Sequence, residues 1–209
     1  MATKEEIRIG VIKSLPEIQE IKDIDIREKV IDAWTLALSE TEYASLEDMA
    51  GAADVDRSPL EGSSSQATHM RAVARMCIAL VDAFEASVGP LPLDRDHMIA
   101  AALLHDVGKP YEWSERNRKR WRSDIPKYGY PAIRHPAYGA HIALNVGLPE
   151  DIAHAIAAHC FEGNSISRNL EATIAYICDY AFWDIASRAG MLGEQVAGRF
   201  SAFAGTPEI

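Results

Sequence analysis

Apolar residues recur along most of this chain at intervals of three and four, the spacing that predicts amphipathic helices. Near the N-terminus, one helical face carries Val30, Ile31, Trp34, Ala37 and Leu38. No segment shows a convincing alternation of apolar and polar residues, the pattern that is typical of strands. The pattern therefore predicts an all-α protein.

A break in this pattern divides the chain into two parts. Segment 51–65 contains DRSPLEGSSS, and its Pro, Gly and Ser residues are typical of a loop. Two charged amphipathic helices are predicted before it, within about the first 45 residues. We therefore expect an N-terminal helical extension and linker over residues 1–62 and a core domain over residues 63–209.

The core domain is predicted to consist of helices separated by breaks that contain Gly and Pro. The first helix presents on one face His69, Val73, Met76 and Leu80. The second spans about 96–106 and ends at Gly108 and Pro110. Later helices are predicted from Pro136, over about 149–160 and over about 170–190. The polar and aromatic segment 111–134 is predicted to be a long loop.

Composition places the chain among ordinary globular proteins. Its 209 residues are 48% hydrophobic and 25% charged. No window approaches the ~18 consecutive apolar residues of a transmembrane helix. The N-terminal MATKEEIRIG lacks the apolar stretch of a signal peptide, and Cys77, Cys160 and Cys178 form no CxxC pair. We therefore expect a cytoplasmic protein with buried thiols and no membrane segment.

The charge is acidic overall but basic in one segment. The formal net charge of −10 disfavours broad nucleic-acid binding, which needs a basic face. Segment 116–134, RNRKRWRSDIPKYGYPAIR, is cationic and is either solvated or faces an anion. Four aromatic residues of the predicted loop 111–134 form either a lid or a cover for the core: Trp113, Trp121, Tyr128 and Tyr130.

Several histidines and carboxylates fall on apolar helix faces. His159 follows Ile152 and Ile156 at helical spacing, whereas His154 lies about 140° from His159 around the same helix. Asp179 shares a face with three apolar residues, Ala175, Phe182 and Ala186. The adjacent pair His105 and Asp106 ends a nearly all-apolar helix.

An inward-facing set of imidazoles and carboxylates indicates a metal site. Burial of an ionised carboxylate without a partner is prohibitively costly. One buried histidine is explained by a hydrogen bond in the core, but a whole set would need a partner for each member. Zinc, iron or manganese would satisfy all of them together, because imidazole nitrogen and carboxylate oxygen are good ligands for these ions.

One segment carries a family resemblance. AALLHDVGKP resembles the signature of the HD superfamily of metal-dependent phosphohydrolases. HDVGK is also similar to the string found in HD-GYP phosphodiesterases, although no GYP-type motif follows it. RHPAYGAHIA and IAAHCFEG are similar to the third and fourth histidine segments of the binuclear members. The resemblance covers about residues 65–186, and it implies an HD-domain helical bundle with an N-terminal helical extension.

The resemblance implies two divalent metal ions per chain (Fe, Mn or Zn). The first would be held by His69, His105, Asp106 and Asp179. Asp106 would bridge to the second, held by His135 and His159. His141 and His154 are alternatives for the last two ligand positions.

The implied activity is hydrolysis of a small phosphorylated or anionic metabolite through a metal-bound hydroxide. Asp106 and Lys109 would take part in catalysis, and the substrate would contact Lys109, Arg134 and Arg168. The alternative for Lys109 is a lysine at a helix C-terminus that complements the helix dipole. Glu162 either orients a ligand or water, or lies in an exposed loop.

Two other functions fit the same residues. One is a di-iron oxygenase that cleaves a C–C or C–P bond with O₂, since the sequence does not select the metal. The other is a non-catalytic HD module that senses a ligand. The expected partner is a small anionic substrate, with no nucleic acid and no membrane, and the chain is a possible homo-oligomer.

Overall fold

The computed structural model describes residues 2–52 and 64–192. Within these ranges the chain is helical and forms no β-strand, which confirms the all-α prediction. The α-helices are α1 Lys4–Ser14, α2 Ile24–Ser39, α3 Gln66–Ser87, α4 Arg95–Leu104, α5 Lys109–Trp113, α6 Glu115–Ser123, α7 Ile125–Tyr128, α8 His135–Asn145, α9 Glu150–Ala158 and α10 Leu170–Arg188. Short 3₁₀ helices span Pro16–Glu20, Leu46–Asp48 and Phe161–Ser165.

Side chains that cap the helix N-termini fix where the longest helices begin. Ser65 precedes α3 and accepts a hydrogen bond from the backbone N–H of Thr68. Asn169 precedes α10 and accepts one from Ala172. Such caps satisfy backbone donors that have no partner inside the helix. They therefore set the register in which His69 and Asp179 follow.

The predicted apolar face of α2 is buried as expected, but that of α3 is rotated. Met76 is only half-buried, and 41% of Leu80 is exposed. The residues of α3 that are buried are Gln66, Ala67, His69, Met70, Val73, Ala74, Cys77 and Val81. The prediction for His69 and Val73 is therefore confirmed, whereas that for Met76 and Leu80 is wrong. Several faces of α3 carry apolar residues, so periodicity alone does not select one.

Segment 111–134, predicted to be a loop, is largely helical. It contains the end of α5 and the whole of α6 and α7. In α6 only Asn117 and Trp121 are buried, so the helix carries almost no apolar pattern. Its Arg and Lys residues nevertheless favour a helix by intrinsic propensity. Trp113 and Trp121 are buried and cover the core, whereas Tyr128 and Tyr130 are exposed.

The largest hydrophobic cluster of the described residues joins the N-terminal helices to the rest of the bundle. It runs from Ile7 and Val11 in α1 to Ile174 and Cys178 in α10. The indole Nε1 of Trp34 in α2 donates to the carbonyl oxygen of Leu103 in α4 at 2.8 Å. The predicted domain boundary at 62–63 lies outside the described residues, and it stays a prediction.

Helix α4 lies at the centre of the bundle. Every residue from Met98 to Leu104 is buried, and the helix packs against α2, α3, α9 and α10. A helix that is apolar on all sides is typical of a core position. Its C-terminal end therefore delivers His105 and Asp106 into the interior. None of the helices in the described part of the chain is long and apolar enough to cross a membrane.

Candidate metal centre

Six buried side chains from five parts of the fold meet beside the end of α4. His69 lies in α3, His105 and Asp106 in the turn after α4, His135 at the start of α8, His159 after α9, and Asp179 in α10. Their exposed fractions are 0%, 0%, 2%, 5%, 1% and 8% in that order. The structure therefore brings together the six residues of the implied ligand set, without the alternatives His141 and His154.

The first half of the cluster lies between α3, α4 and α10. His69 Nε2 is 3.3 Å from Asp106 Oδ2 and 3.2 Å from Asp179 Oδ1. His105 Nε2 is 3.2 Å from His69 Nε2 and 3.3 Å from Asp106 Oδ2. Two imidazole nitrogens and two carboxylate oxygens thus face one small volume.

The second half of the cluster faces the other oxygen of Asp106. Asp106 Oδ1 is 3.4 Å from His135 Nε2 and 3.7 Å from His159 Nε2. Each oxygen of this carboxylate therefore faces a separate pair of imidazoles. Groups of three residues that could hold a metal ion are found on both sides: His69, His105 and Asp106 on one side, and His135, His159 and Cys160 on the other.

Hydrogen bonds to Nδ1 of the histidine rings leave Nε2 available to bind a cation. The Nδ1 atoms of His105 and His159 are 2.8 Å and 2.7 Å from the backbone oxygens of Ala102 and Ile156. A neutral imidazole that donates through Nδ1 keeps a lone pair on Nε2. Both Nε2 atoms face oxygens of Asp106, and that of His105 also faces His69 Nε2, an arrangement that a divalent cation satisfies. The residues therefore fit a metal site.

Electrostatics keep the carboxylates ionised. Burial by itself would raise the pKa of Asp106, but the charges of Lys109 and His105 hold that pKa well below its usual range. Burial likewise opposes ionisation of Asp179, yet its hydrogen bond with His69 and the charge of His105 lower its pKa to about 2. Both groups are therefore anionic acceptors at neutral pH.

The pKa values of two histidines move in opposite directions. Burial, together with the charges of His105 and His135, lowers the pKa of His159 to about 3, which favours its neutral, ligating form. Burial alone would also lower the pKa of His105, but the adjacent Asp106 raises it. A cation at this place would compete with the proton on His105, because both bind the lone pair of Nε2.

Lys109 is buried beside the cluster. Its Nζ is 2.7 Å from Asp106 Oδ2 and donates to the carbonyl oxygen of Ala52 at 2.9 Å. The ammonium also lies 4.9 Å from the centre of the Trp113 ring. The residue begins α5 and is only 2% exposed, so it is not a lysine at a helix C-terminus that complements the dipole.

Two polar contacts of the cluster were not expected from the sequence. Gln66 Nε2 donates to Asp106 Oδ2 at 2.8 Å, while its buried Oε1 has no partner among the described residues. Trp183 Nε1 donates to Asp179 Oδ1 at 3.1 Å. Gln66 precedes His69 by three residues and Trp183 follows Asp179 by four. Because residues three or four apart lie on the same helix face, these spacings could have placed Gln66 and Trp183 beside the cluster.

Arg134 and Arg168 bind protein groups. Arg134 Nε donates to Glu162 Oε1 at 2.8 Å, and its Nη1 donates to Glu112. Arg168 donates to the backbone oxygens of Ala158 and Cys160 at 2.7 and 2.8 Å. Both guanidinium groups thus hold the segments that carry His135 and His159. Their proposed contact with substrate stays a prediction.

Glu112, like Gln66, was missed by the sequence analysis. It is 4% exposed, and its Oε2 lies 2.9 Å from His135 Nδ1. Burial alone would raise the pKa of Glu112, but His135 and Arg134 lower it.

The Glu162 carboxylate accepts from the Cys160 thiol at 2.6 Å, and burial raises the pKa of that thiol. Cys160 is therefore a protonated donor in this arrangement.

The alternative histidine ligands lie away from the cluster. His154 Nε2 accepts from the backbone N–H of Asn169 at 3.3 Å, and His141 is exposed beside Tyr138. The cations of α6 also bind elsewhere. Arg116 donates to the backbone oxygen of Glu40, and Lys119 pairs with Glu115.

The fold is an all-helical bundle, and buried histidines and aspartates meet at its centre. These two features place the chain among helical proteins with a candidate metal site. The family model of the HD domain matches residues 67–182, more than half of the chain. The chain therefore belongs to the HD domain family, which confirms the resemblance. No curated protein and no solved structure gives a significant match.

Proposed function

We propose that this chain is a metal-dependent phosphohydrolase that binds two divalent metal ions. The observation that carries the proposal is the position of Asp106, whose Oδ2 faces His69 and His105 while its Oδ1 faces His135 and His159. A carboxylate whose two oxygens face separate pairs of imidazoles is suited to a site for two metal ions.

In the proposed site, one ion is held by His69, His105, Asp106 and Asp179, and the other by Asp106, His135 and His159. A bound metal pair supplies an activated water and stabilises the charge of a phosphoryl group. The chain keeps Asp106 and Asp179 ionised and His159 neutral, the forms in which these residues ligate a cation.

Lys109 is the proposed contact for the anionic substrate. Asp106 Oδ2 accepts from both Lys109 and Gln66, which uses the lone pairs of one carboxylate oxygen. The carbonyl oxygen of Ala52 accepts a second N–H of Lys109, so the third N–H of this ammonium remains to donate to a phosphoryl oxygen.

The net charge of −10 favours a small anion over a long polyanion as substrate, because an acidic surface repels the latter. The buried setting of Lys109 supports the same choice. The proposed location is the cytoplasm, and a homo-oligomer is compatible with the proposal.

The test combines metal analysis with a substrate panel. Protein purified without chelators or added metal is analysed for bound metal. It is then assayed with phosphomonoesters, nucleotides and cyclic nucleotides in Mn²⁺, Fe²⁺ or Zn²⁺, with and without oxygen. We expect phosphate release that does not depend on oxygen. Two irons per chain, O₂ uptake with a non-phosphate substrate and no phosphate release would instead identify the oxygenase.

Replacement of Lys109 tests its role in binding substrate. We expect Lys109→Met to raise the KM for the phosphate substrate and to cost about 1–3 kcal/mol of transition-state stabilisation, because a charged hydrogen bond is lost. The matched control is Lys119→Met, which removes an exposed lysine paired with Glu115 and should leave KM unchanged. Equal KM values for the two variants would contradict the assignment.

A further inference from the structure

One carboxylate holds both the backbone and the ring of a proposed metal ligand. Glu112 Oε2 accepts from the backbone N–H of His135, and it lies 2.9 Å from Nδ1 of the same residue. These two bonds fix where α8 begins and how the imidazole is turned. They therefore direct His135 Nε2 toward Asp106 Oδ1.

Arg134 extends this contact to the other histidine of the same half of the cluster. Its guanidinium lies between Glu112 and Glu162 and is paired with both. Glu162 accepts from the thiol of Cys160, the residue that follows His159. A continuous set of ionic and hydrogen-bonded contacts thus connects the segments that present His135 and His159.

The histidines on the other side of Asp106 have no comparable support. His105 Nδ1 faces the neutral carbonyl of Ala102, and the buried Nδ1 of His69 has no hydrogen-bond partner in the described structure. His159 Nδ1 likewise faces a backbone carbonyl. Of the four imidazoles, His135 alone has a carboxylate at its far nitrogen among the described residues. The contrast implies a specific role for Glu112.

We propose that Glu112 is a positioning residue for the second metal site and that Arg134 acts as its counter-ion rather than as a substrate contact. This inference rests on the proposed binuclear function. A carboxylate bound to Nδ1–H selects the tautomer with a free Nε2 lone pair and makes that nitrogen a better ligand. Arg134 keeps the buried carboxylate charged and aligned.

The primary test measures metal binding in the full chain, without any substrate. Wild type and Glu112→Gln are stripped of metal and titrated with Zn²⁺ or Mn²⁺ alone by calorimetry and equilibrium dialysis. We expect the second equivalent to bind about 10–100-fold more weakly in the variant, the usual effect of replacing a residue that hydrogen-bonds a metal ligand. The first equivalent should keep its wild-type affinity.

Two controls separate positioning from general destabilisation. Glu115→Gln removes an exposed carboxylate just after α5 and should leave both affinities unchanged. Arg134→Gln should weaken the second equivalent in the same way, and the double variant Glu112→Gln with Arg134→Gln should add little. A side chain that only contacts substrate would raise KM and leave metal binding unaltered.

The outcomes distinguish this inference from the proposed function. If wild type binds two equivalents and the helical Glu112→Gln variant binds both with wild-type affinity, the positioning role is wrong. If Glu112→Gln does not fold, wild-type second-site affinity in the Arg134→Gln variant overturns the inference. If wild type itself binds no second equivalent under any condition, the proposed binuclear function is wrong, and the role of Glu112 at a second metal site is wrong with it.

Discussion

At the scale of single residues, the centre of this protein is Asp106. It is 2% exposed, and its two oxygens face four imidazoles, an ammonium and a carboxamide. Loss of one partner from such a buried set leaves others without compensation. Lys109 is the partner most affected, because its ammonium is equally buried.

Asp106→Ala should abolish both metal retention and activity while the far-ultraviolet circular dichroism stays helical. Among the described residues, no other carboxylate contacts both pairs of imidazoles, since Asp179 reaches only His69 and His105. The apolar helices around the site do not depend on the charge of Asp106. The thermal midpoint should fall, because Lys109 is left as an unpaired buried charge. Metal analysis decides the matter, and full metal content in the variant would contradict the central assignment.

His159→Ala and His154→Ala should differ although both histidines belong to the same stretch of chain. His159 Nε2 faces Asp106 Oδ1, whereas His154 Nε2 binds the backbone of Asn169. We expect one metal equivalent to be lost only in His159→Ala. Comparable metal loss in both variants would show that His154 and His159 do not point in the different directions described for them.

At the scale of helices, the turn before α5 packs closely against α8, and this close approach depends on two glycines. A Cβ atom added at Gly108 would lie 2.1 Å from the backbone oxygen of His135 and 2.7 Å from the backbone nitrogen of Gly139. One added at Gly139 would lie 3.2 Å from Val107 Cγ1 and 3.3 Å from the backbone nitrogen of Gly108, both in that turn. The HDVGK turn can therefore approach α8 only because these side chains are absent.

Gly108→Ala should force α8 and His135 away from the turn. Because backbone atoms are the obstacle, a change of side-chain rotamer cannot relieve the overlap. We expect a lower thermal midpoint and weaker binding of the second metal equivalent, measured by calorimetry. The control is Gly10→Ala in α1, where a Cβ meets nothing within 4 Å and the added methyl group should be neutral or slightly stabilising. Unchanged binding and stability in Gly108→Ala would contradict the close approach.

At the scale of the whole molecule, the N-terminal helices contribute to the same core that presents the metal ligands. Trp34 is fully buried, and its indole binds the backbone of Leu103, two residues before His105. The backbone N–H groups of Lys22 and Asp23 donate to Asp96 at 3.0 and 2.7 Å near the start of α4. These contacts tie the extension to both ends of the central helix.

Trp34→Ala should lower the free energy of unfolding by about 3–5 kcal/mol, the usual cost of removing a large buried side chain. The unpaired carbonyl of Leu103 adds to this cost. Urea unfolding should remain one transition, with circular dichroism and fluorescence coincident, because the extension and the core unfold together. Trp34→Phe, which keeps most of the apolar volume, should lose less stability. Two separated transitions in wild type would contradict a shared core.

Local periodicity was sufficient for most helices and for the inward direction of His69, His159 and Asp179. It failed over 111–134, because α6 exposes most of its surface and so has little apolar pattern to detect. It also placed Leu80 on the buried face of α3, although this side chain is exposed. Residues whose role comes from burial along one helix were therefore predictable, whereas a mostly solvated helix was not.

Spacing along single helices predicted the helical class and which polar side chains point inward, because both depend on about one or two turns of helix. The family followed from motifs spread over residues 65–186. Which of the inward side chains meet depends on the tertiary structure. Asp106 and Gln66 are 40 residues apart, and Glu112 and His135 are 23 apart. Contacts across such separations are set by how α3, α4, α5 and α8 pack, and packing depends on the shapes of all the side chains between them. For the same reason Arg134, a candidate substrate contact in the sequence, lies between two carboxylates in the fold.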